Sequence, residues 1–155
     1  MDQNLLRAYL ATVYEITTPS GILRVSMDGD ASADPSLLPP PLTNTFALLT
    51  AYNPRSMLLP RRVNEARHQV LRDLLVLGVY RVDHCVGYDD EPEGVWREPT
   101  WFVHNMDRTE AQAFGQVFRQ NTIVWSTAGR PELIVTDPTC DDLGMTIPAS
   151  FRVRT

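Results

Sequence analysis

The residues best placed to do chemistry are Tyr52, Asn53 and Ser56, in the run Thr50-Ala51-Tyr52-Asn53-Pro54-Arg55-Ser56, and Arg67 on the segment that follows. A phenol, an amide and a hydroxyl at the end of an apolar run can orient a ligand by hydrogen bonds, and Asn53-Pro54 turns the chain there. Arg67 puts a charge in an unexpected place. On a wheel of about 100° per residue, residues 61–77 gather Val63, Ala66, Val70, Leu71, Leu74 and Leu77 on one arc, and Arg67 falls inside it. Arg61, Arg62, Glu65, His68, Gln69, Arg72 and Asp73 take the opposite face. A buried guanidinium without a partner is costly, so an anionic group is expected to meet Arg67. Two partners fit: a phosphate or carboxylate ligand, helped by the free backbone N–H groups of the helix start at 61–63, or an internal carboxylate such as Glu98.

Glu98 is the second candidate, in Trp96-Arg97-Glu98-Pro99-Thr100. Held between Trp96 and Trp101, it would be partly desolvated, with a raised pKa suited to general acid or base work. Paired with Arg67, it would instead be a structural anion. The other clusters offer less. Asp89 to Glu93 could supply oxygen ligands, but its spacing matches no calcium loop and it contains Pro92. His68, His84 and His104 are scattered without metal-ligand spacing, so no metal site is expected. His84 and Cys85 are consecutive residues of an extended segment and point to opposite faces, which argues against a nucleophile and base pair.

Composition sets the bounds. With 155 residues and 43% hydrophobic content, one domain spanning 1–155 with a real core is expected. A net charge of −5 and a pI near 5.1 give no general attraction to nucleic acid. No apolar run approaches the roughly 20 residues that span a bilayer, and no membrane association is expected. A cytoplasmic location follows, with Cys85 and Cys140 as thiols. All 14 basic residues are arginine, which excludes a Schiff-base lysine and a phosphate loop of the Gly-Lys-Ser/Thr kind. No cofactor is indicated.

Periodicity supplies the elements that must position these groups. A short helix is expected over 2–10, then a hairpin of 13–17 and 22–27 around Thr18-Pro19-Ser20-Gly21. Residues 28–44 form a Pro-rich loop containing Pro39-Pro40-Pro41. The apolar run 45–51 is a central strand covered on both faces. After the helix at 61–77, ended by Gly78, come strands at 79–88 and 100–104. A helix capped by Asp107 or Thr109 follows, with Gly115 allowing close packing, then strands at 122–125 and 133–136. Ile147, Phe151 and Val153 suggest that the tail, 137–155, docks on the core. The order predicts a single α+β domain, a mainly antiparallel sheet with helices packed on one face.

These motifs resemble a family of short bacterial proteins known as the domain of unknown function numbered 3293. Its hallmarks are an apolar strand ending in Thr-Ala-Tyr-Asn-Pro-x-Ser, an Asn-x-x-Arg on the next helix, Trp-x-Glu-Pro-Ser, and a late Phe-Gly-Gln. Here they stand as Thr50 to Ser56, Asn64 with Arg67, Trp96 to Thr100, and Phe118-Arg119-Gln120, with Thr100 for serine and Arg119 for glycine. The resemblance brings no activity. It implies that Tyr52, Asn53, Ser56, Asn64, Arg67, Glu98 and Gln120 form one unit. The expected function is a polar pocket for a small anionic metabolite or nucleotide, with Glu98 as base if it is catalytic. The alternative is a protein-interaction or regulatory module in which these residues form a structural network and Leu37, Leu38, Leu58 and Leu59 serve a partner.

Overall fold

Local chemistry decides most of the elements. In the computed structural model, which describes residues 1–28, 34–90 and 96–154, helix α1 (Gln3–Ala11) begins at Asp2, whose carboxylate accepts from the Asn4 amide. Strands β1 (Thr12–Thr18) and β2 (Gly21–Asp28) form the expected hairpin. Strand β3 (Phe46–Leu49) is buried along its whole length. Helix α2 (Arg61–Leu77), β4 (Val82–Asp89), β5 (Arg97–His104), α3 (Arg108–Val117), β6 (Thr122–Thr127) and β7 (Arg130–Val135) follow. Asp107 caps α3 by accepting from the Glu110 amide. The tail supplies two further strands, β8 (Thr146–Pro148) and β9 (Ser150–Arg154). Of the Pro-rich loop, residues 29–33 lie outside the described residues, as do 91–94 of the acidic turn; Leu42 is fully buried.

One antiparallel sheet contains all nine strands, in the order β8-β7-β6-β3-β5-β4-β1-β2-β9. Ala149 alone separates β8 from β9, at the two ends of that order, and its N–H donates to the Pro131 carbonyl at 3.0 Å. The edges therefore lie side by side and the sheet is rolled. Alternation along the strands then sorts the core into two parts. Ile16, Val25, Phe46, Leu48, Cys85, Phe102, Val124, Leu133 and Phe151 fill the inside, with Phe46 stacked on Phe102 at 4.3 Å between centroids. Ala47, Leu49, Trp101, Val103, Ile123 and Ile134 face outwards and are covered by Leu71 and Leu75 of α2 and Ala111 and Phe118 of α3.

The fold is α+β, as expected, with α2 and α3 sharing the outer face. Helix α1 instead packs Leu6, Tyr9 and Leu10 against the inner cluster. It has no buried residue of its own and is tied by the Met1 amine to Asp142 at 2.6 Å. Gly115 brings α3 close to the sheet: a Cβ there would lie 2.7 Å from Ile123 Cγ2 and 2.8 Å from Thr136 Cγ2.

Helix α2 is rotated from the expected arc. Its buried residues are Asn64, His68, Leu71 and Leu75, while Val63, Val70, Leu74 and Leu77 are exposed. Hydrophobic periodicity misplaced the buried stripe because two of its four members are polar. His68 stacks on Trp101 at 4.8 Å and meets Tyr52 edge-on at 5.3 Å. Burial holds it neutral, its pKa pushed down to about 4.

Both long helices end in the same hydrogen-bonded motif with an unusual residue at the left-handed position. Tyr80 N–H bonds to Leu75 O and Val79 N–H to Val76 O; Gln120 N–H bonds to Gly115 O and Arg119 N–H to Gln116 O. The left-handed residues are Val79 (φ 65°) and Arg119 (φ 59°); Gly78 caps α2, where the sequence placed the helix end, and is itself not left-handed. Arg119 departs from the family pattern at the position whose backbone favours the pattern's glycine. Val79→Gly, at a site 91% exposed, is expected to stabilise the fold by about 1 kcal/mol, and Arg119→Gly by a similar amount; urea denaturation of each variant measures it.

Candidate functional site

Strand parity builds the site. On β5, Glu98, Thr100, Phe102 and His104 alternate with Trp101 and Val103, so Glu98 shares the inner face with Phe102 while Trp101 lies outside against α2. Directly opposite Glu98 on β4 is Gly87, and opposite Gly87 on β1 is Tyr14. A Cβ on Gly87 would lie 3.2 Å from Tyr14 Cε1. The missing side chain contributes to a cavity of about 70 Å³, lined among others by Tyr14, Thr50, Glu98, Thr100 and Thr122. A cleft of about 240 Å³ adjoins it, bounded by Leu5, Ala8, Asn53, Ser56, Leu58 and Asn121. Tyr9, Trp96, Glu98 and Gln120 line both.

Asn53 organises the mouth. It adopts left-handed backbone (φ 43°, ψ 62°), a conformation asparagine tolerates better than most residues. Its N–H donates to Asn64 Oδ1 at 2.9 Å, and its Oδ1 accepts from Asn64 Nδ2 at 2.8 Å and from the Leu59 N–H at 3.1 Å. With those groups committed, its Nδ2 is aimed at Glu98 Oε1, 2.8 Å away. Arg55 and Ser56 are also left-handed, at φ 53° and 57°, and the loop is secured from the far side. Arg55 N–H donates to Arg119 O at 2.8 Å and its guanidinium to Gln120 O at 2.6 Å. Asn121 Nδ2 donates to Ser56 Oγ at 2.9 Å and to Tyr9 OH at 3.1 Å. Gln120 Nε2 donates to the carbonyls of Tyr52 at 3.1 Å and Phe118 at 3.3 Å.

The structure thus brings all seven expected residues into one neighbourhood but divides their work. Asn53, Ser56, Glu98 and Gln120 line the cleft. Tyr52, Asn64 and Arg67 stand behind it. Arg67 does not meet an anion: Nε donates to Ala51 O at 2.9 Å and Nη2 to Phe118 O at 2.8 Å, clamping the end of β3 to the end of α3. It makes no ion pair with Glu98, and neither cavity is lined by an arginine or a histidine. The sequence did not single out Tyr9, Tyr14, Asn121 or Gly87. A glycine inside a strand was the available signal for Gly87.

Burial raises the Glu98 carboxyl pKa above its usual 4.5, and the Asn53 hydrogen bond opposes the rise. Among the described residues Asn53 is its one hydrogen-bond donor. Cys85 is buried inside the rolled sheet, where burial pushes its thiol pKa up. His104 bonds Asp83 at 2.6 Å, at the other end of β5. No group of three or more histidines, cysteines or acids among the described residues could hold a metal ion.

Residues 49–123 match the family model described as Protein of unknown function (DUF3293). Over that stretch the chain is identified with DUF3293. It is the family that the sequence motifs resemble, and the matched residues contain the Asn53 loop, Asn64, Arg67, Glu98 and Gln120. Tyr9 and Tyr14, which also line the cavities, lie before the matched residues. No curated protein and no solved structure gives a significant match. Among the described residues no helix is long and apolar enough to cross a membrane.

Two measurements test this geometry. Arg67→Met leaves the Ala51 carbonyl without its donor and the Phe118 carbonyl with the Gln120 amide alone, and is expected to cost about 2 to 3 kcal/mol in chemical denaturation, as is Asn53→Ala. Glu98→Gln should act in the opposite sense, with a pH signature. Because the folded chain holds the Glu98 proton more tightly than the unfolded chain, ionisation carries no penalty well below pH 4.5 and its full penalty above the raised pKa. The melting temperature of Glu98→Gln relative to wild type is therefore expected to rise as pH increases through that window, then to level off.

Proposed function

We propose that this is a bacterial cytoplasmic protein that binds a small molecule in the cleft between α1, the Asn53 loop and the open end of the rolled sheet. The observation that carries this reading is Glu98. A carboxyl group at the junction of two cavities, desolvated and served by one amide donor, lowers stability when ionised. Nothing in the packing requires a charge there, since a glutamine could accept from Asn53 equally well. Such a group makes physical sense when a ligand completes its hydrogen bonding. The Asn53 loop supports it with three left-handed non-glycine residues, a form of strain concentrated at binding sites. Glu98 bonds to an amide rather than to a hydroxyl or thiol, so the arrangement favours binding over nucleophilic catalysis, with Glu98 available as a base towards a bound substrate.

The anionic ligand suggested by the sequence loses support, because Arg67 is committed to two carbonyls. A protein-interaction role is the second reading. It is favoured by the exposed arc of Val63, Val70, Leu74 and Leu77 on α2, with Leu58 exposed at the cleft rim.

A fragment screen on the labelled protein, read by amide chemical shifts and thermal stability, separates the two. Hits that move the amides of Asn53, Trp96, Gln120 and Asn121, and that are lost in Gly87→Val, support the cleft. Compounds that leave those amides unmoved, together with self-association or partner binding abolished by Val70→Glu, would transfer function to the α2 surface.

A further inference from the structure

We infer that the ligand of this cleft is a small organic amine, bound as its ammonium ion by Glu98. The inference rests on the cleft being a ligand site and names the chemistry that its lining selects.

Most donors close to Glu98 already have acceptors. Gln120 spends its amide NH₂ on the Tyr52 and Phe118 carbonyls, so the group it retains for a ligand is its acceptor oxygen. The Thr50 hydroxyl donates to the Pro99 carbonyl at 2.8 Å and the Thr100 hydroxyl to the Glu98 carbonyl at 3.2 Å. Each hydroxyl has then used its proton and keeps lone pairs. Asn53 has committed its Nδ2 to Glu98, and Glu98 itself accepts only when ionised. The amide and threonine donors nearest Glu98 are therefore spent, while the hydroxyls of Tyr9 and Ser56, which accept from Asn121, keep their protons for a second polar group of the ligand. The group that meets Glu98 itself has to be a donor. An ammonium group, with three N–H donors and no acceptor, has that chemistry.

Charge points the same way. A desolvated carboxylate is best compensated by an opposite charge in direct hydrogen-bond contact, and the lining contains no basic side chain to provide it. Tyr9 and Trp96 line both cavities together with Glu98, and aromatic side chains accommodate cations better than anions. The net charge of −5 raises the local concentration of cations at the surface. Leu5, Ala8 and Leu58 form an apolar flank of the larger cleft, so the ammonium should carry an aliphatic or aromatic tail rather than a second charge.

Matched probes test this on the full-length protein: benzylamine, benzyl alcohol and benzoate, and butylamine, butanol and butyrate, by calorimetry and amide chemical shifts. The expected result is that an amine binds at least ten-fold more tightly than its matched alcohol, that the carboxylates do not bind, and that Glu98→Gln loses the amine preference. Equal or tighter binding of an alcohol or carboxylate, retention of the amine preference in Glu98→Gln, or no amine binding would overturn the assignment. If non-amine fragments still move the Asn53, Trp96 and Gln120 amides, the amine assignment alone fails. If no compound moves them, the cleft reading fails as well. Folding of Glu98→Gln is checked by its amide spectrum, and Glu98→Asp, which keeps the charge on a shorter arm, should retain a weakened amine preference.

Discussion

The single residue between β8 and β9 constrains the whole molecule. With only Ala149 joining the two ends of the strand order, the sheet has to roll until its edges are neighbours, and every strand then has an inside and an outside. The inside must be filled. Phe46, Phe102 and Phe151 fill its middle, but the row at the α1 end runs Tyr14, Gly87, Glu98, and its central position has no side chain. Closure thus produces both the hydrophobic core and the polar cavity. They differ only by which residues the strands present in successive rows.

Around that cavity two arginines are directed at backbone, Arg55 keeping an ion pair with Asp137 at 3.4 Å as well. Arg55 and Arg67 both end on carbonyl oxygens of the 118–120 segment, so two guanidinium groups hold one irregular stretch against the Asn53 loop. A guanidinium suits this work, since its planar fork of donors reaches several acceptors while its charge strengthens each bond. The arrangement explains how three of the four residues 53–56 can persist in left-handed backbone: they are fastened from both sides. Among the described residues it also leaves Glu98 as the charged group that lines the cavities.

Much of this was legible in the sequence. Apolar alternation and turn chemistry located the hairpin, the central strand, both long helices and the later strands, and the α+β class follows from their order. The Asn53 loop, Glu98 and Gln120 stood out by type and by their family resemblance. What the sequence concealed has specific causes. Asn64 and His68 are polar residues on a buried face, so a hydrophobicity wheel turned α2 away from its true orientation. Arg67 was taken to need an anion because carbonyl partners from distant segments, Ala51 and Phe118, leave no mark in the local pattern. Trp101 looked like a wall beside Glu98, yet strand parity sends it to the other face. Rolling of the sheet depends on β8 and β9, in a tail whose short strands carry weak periodicity.

Helix α1 forms one wall of the cleft without burying a residue of its own. Its attachment is thin, with Leu6, Tyr9 and Leu10 against the inner cluster. A helix held by so few contacts shifts at a small cost, whereas the opposite wall is fixed by the sheet and the Asn53 loop. The girth of what the cleft admits is therefore set by its least anchored side, and molecules of different width can be seated without disturbing the strands.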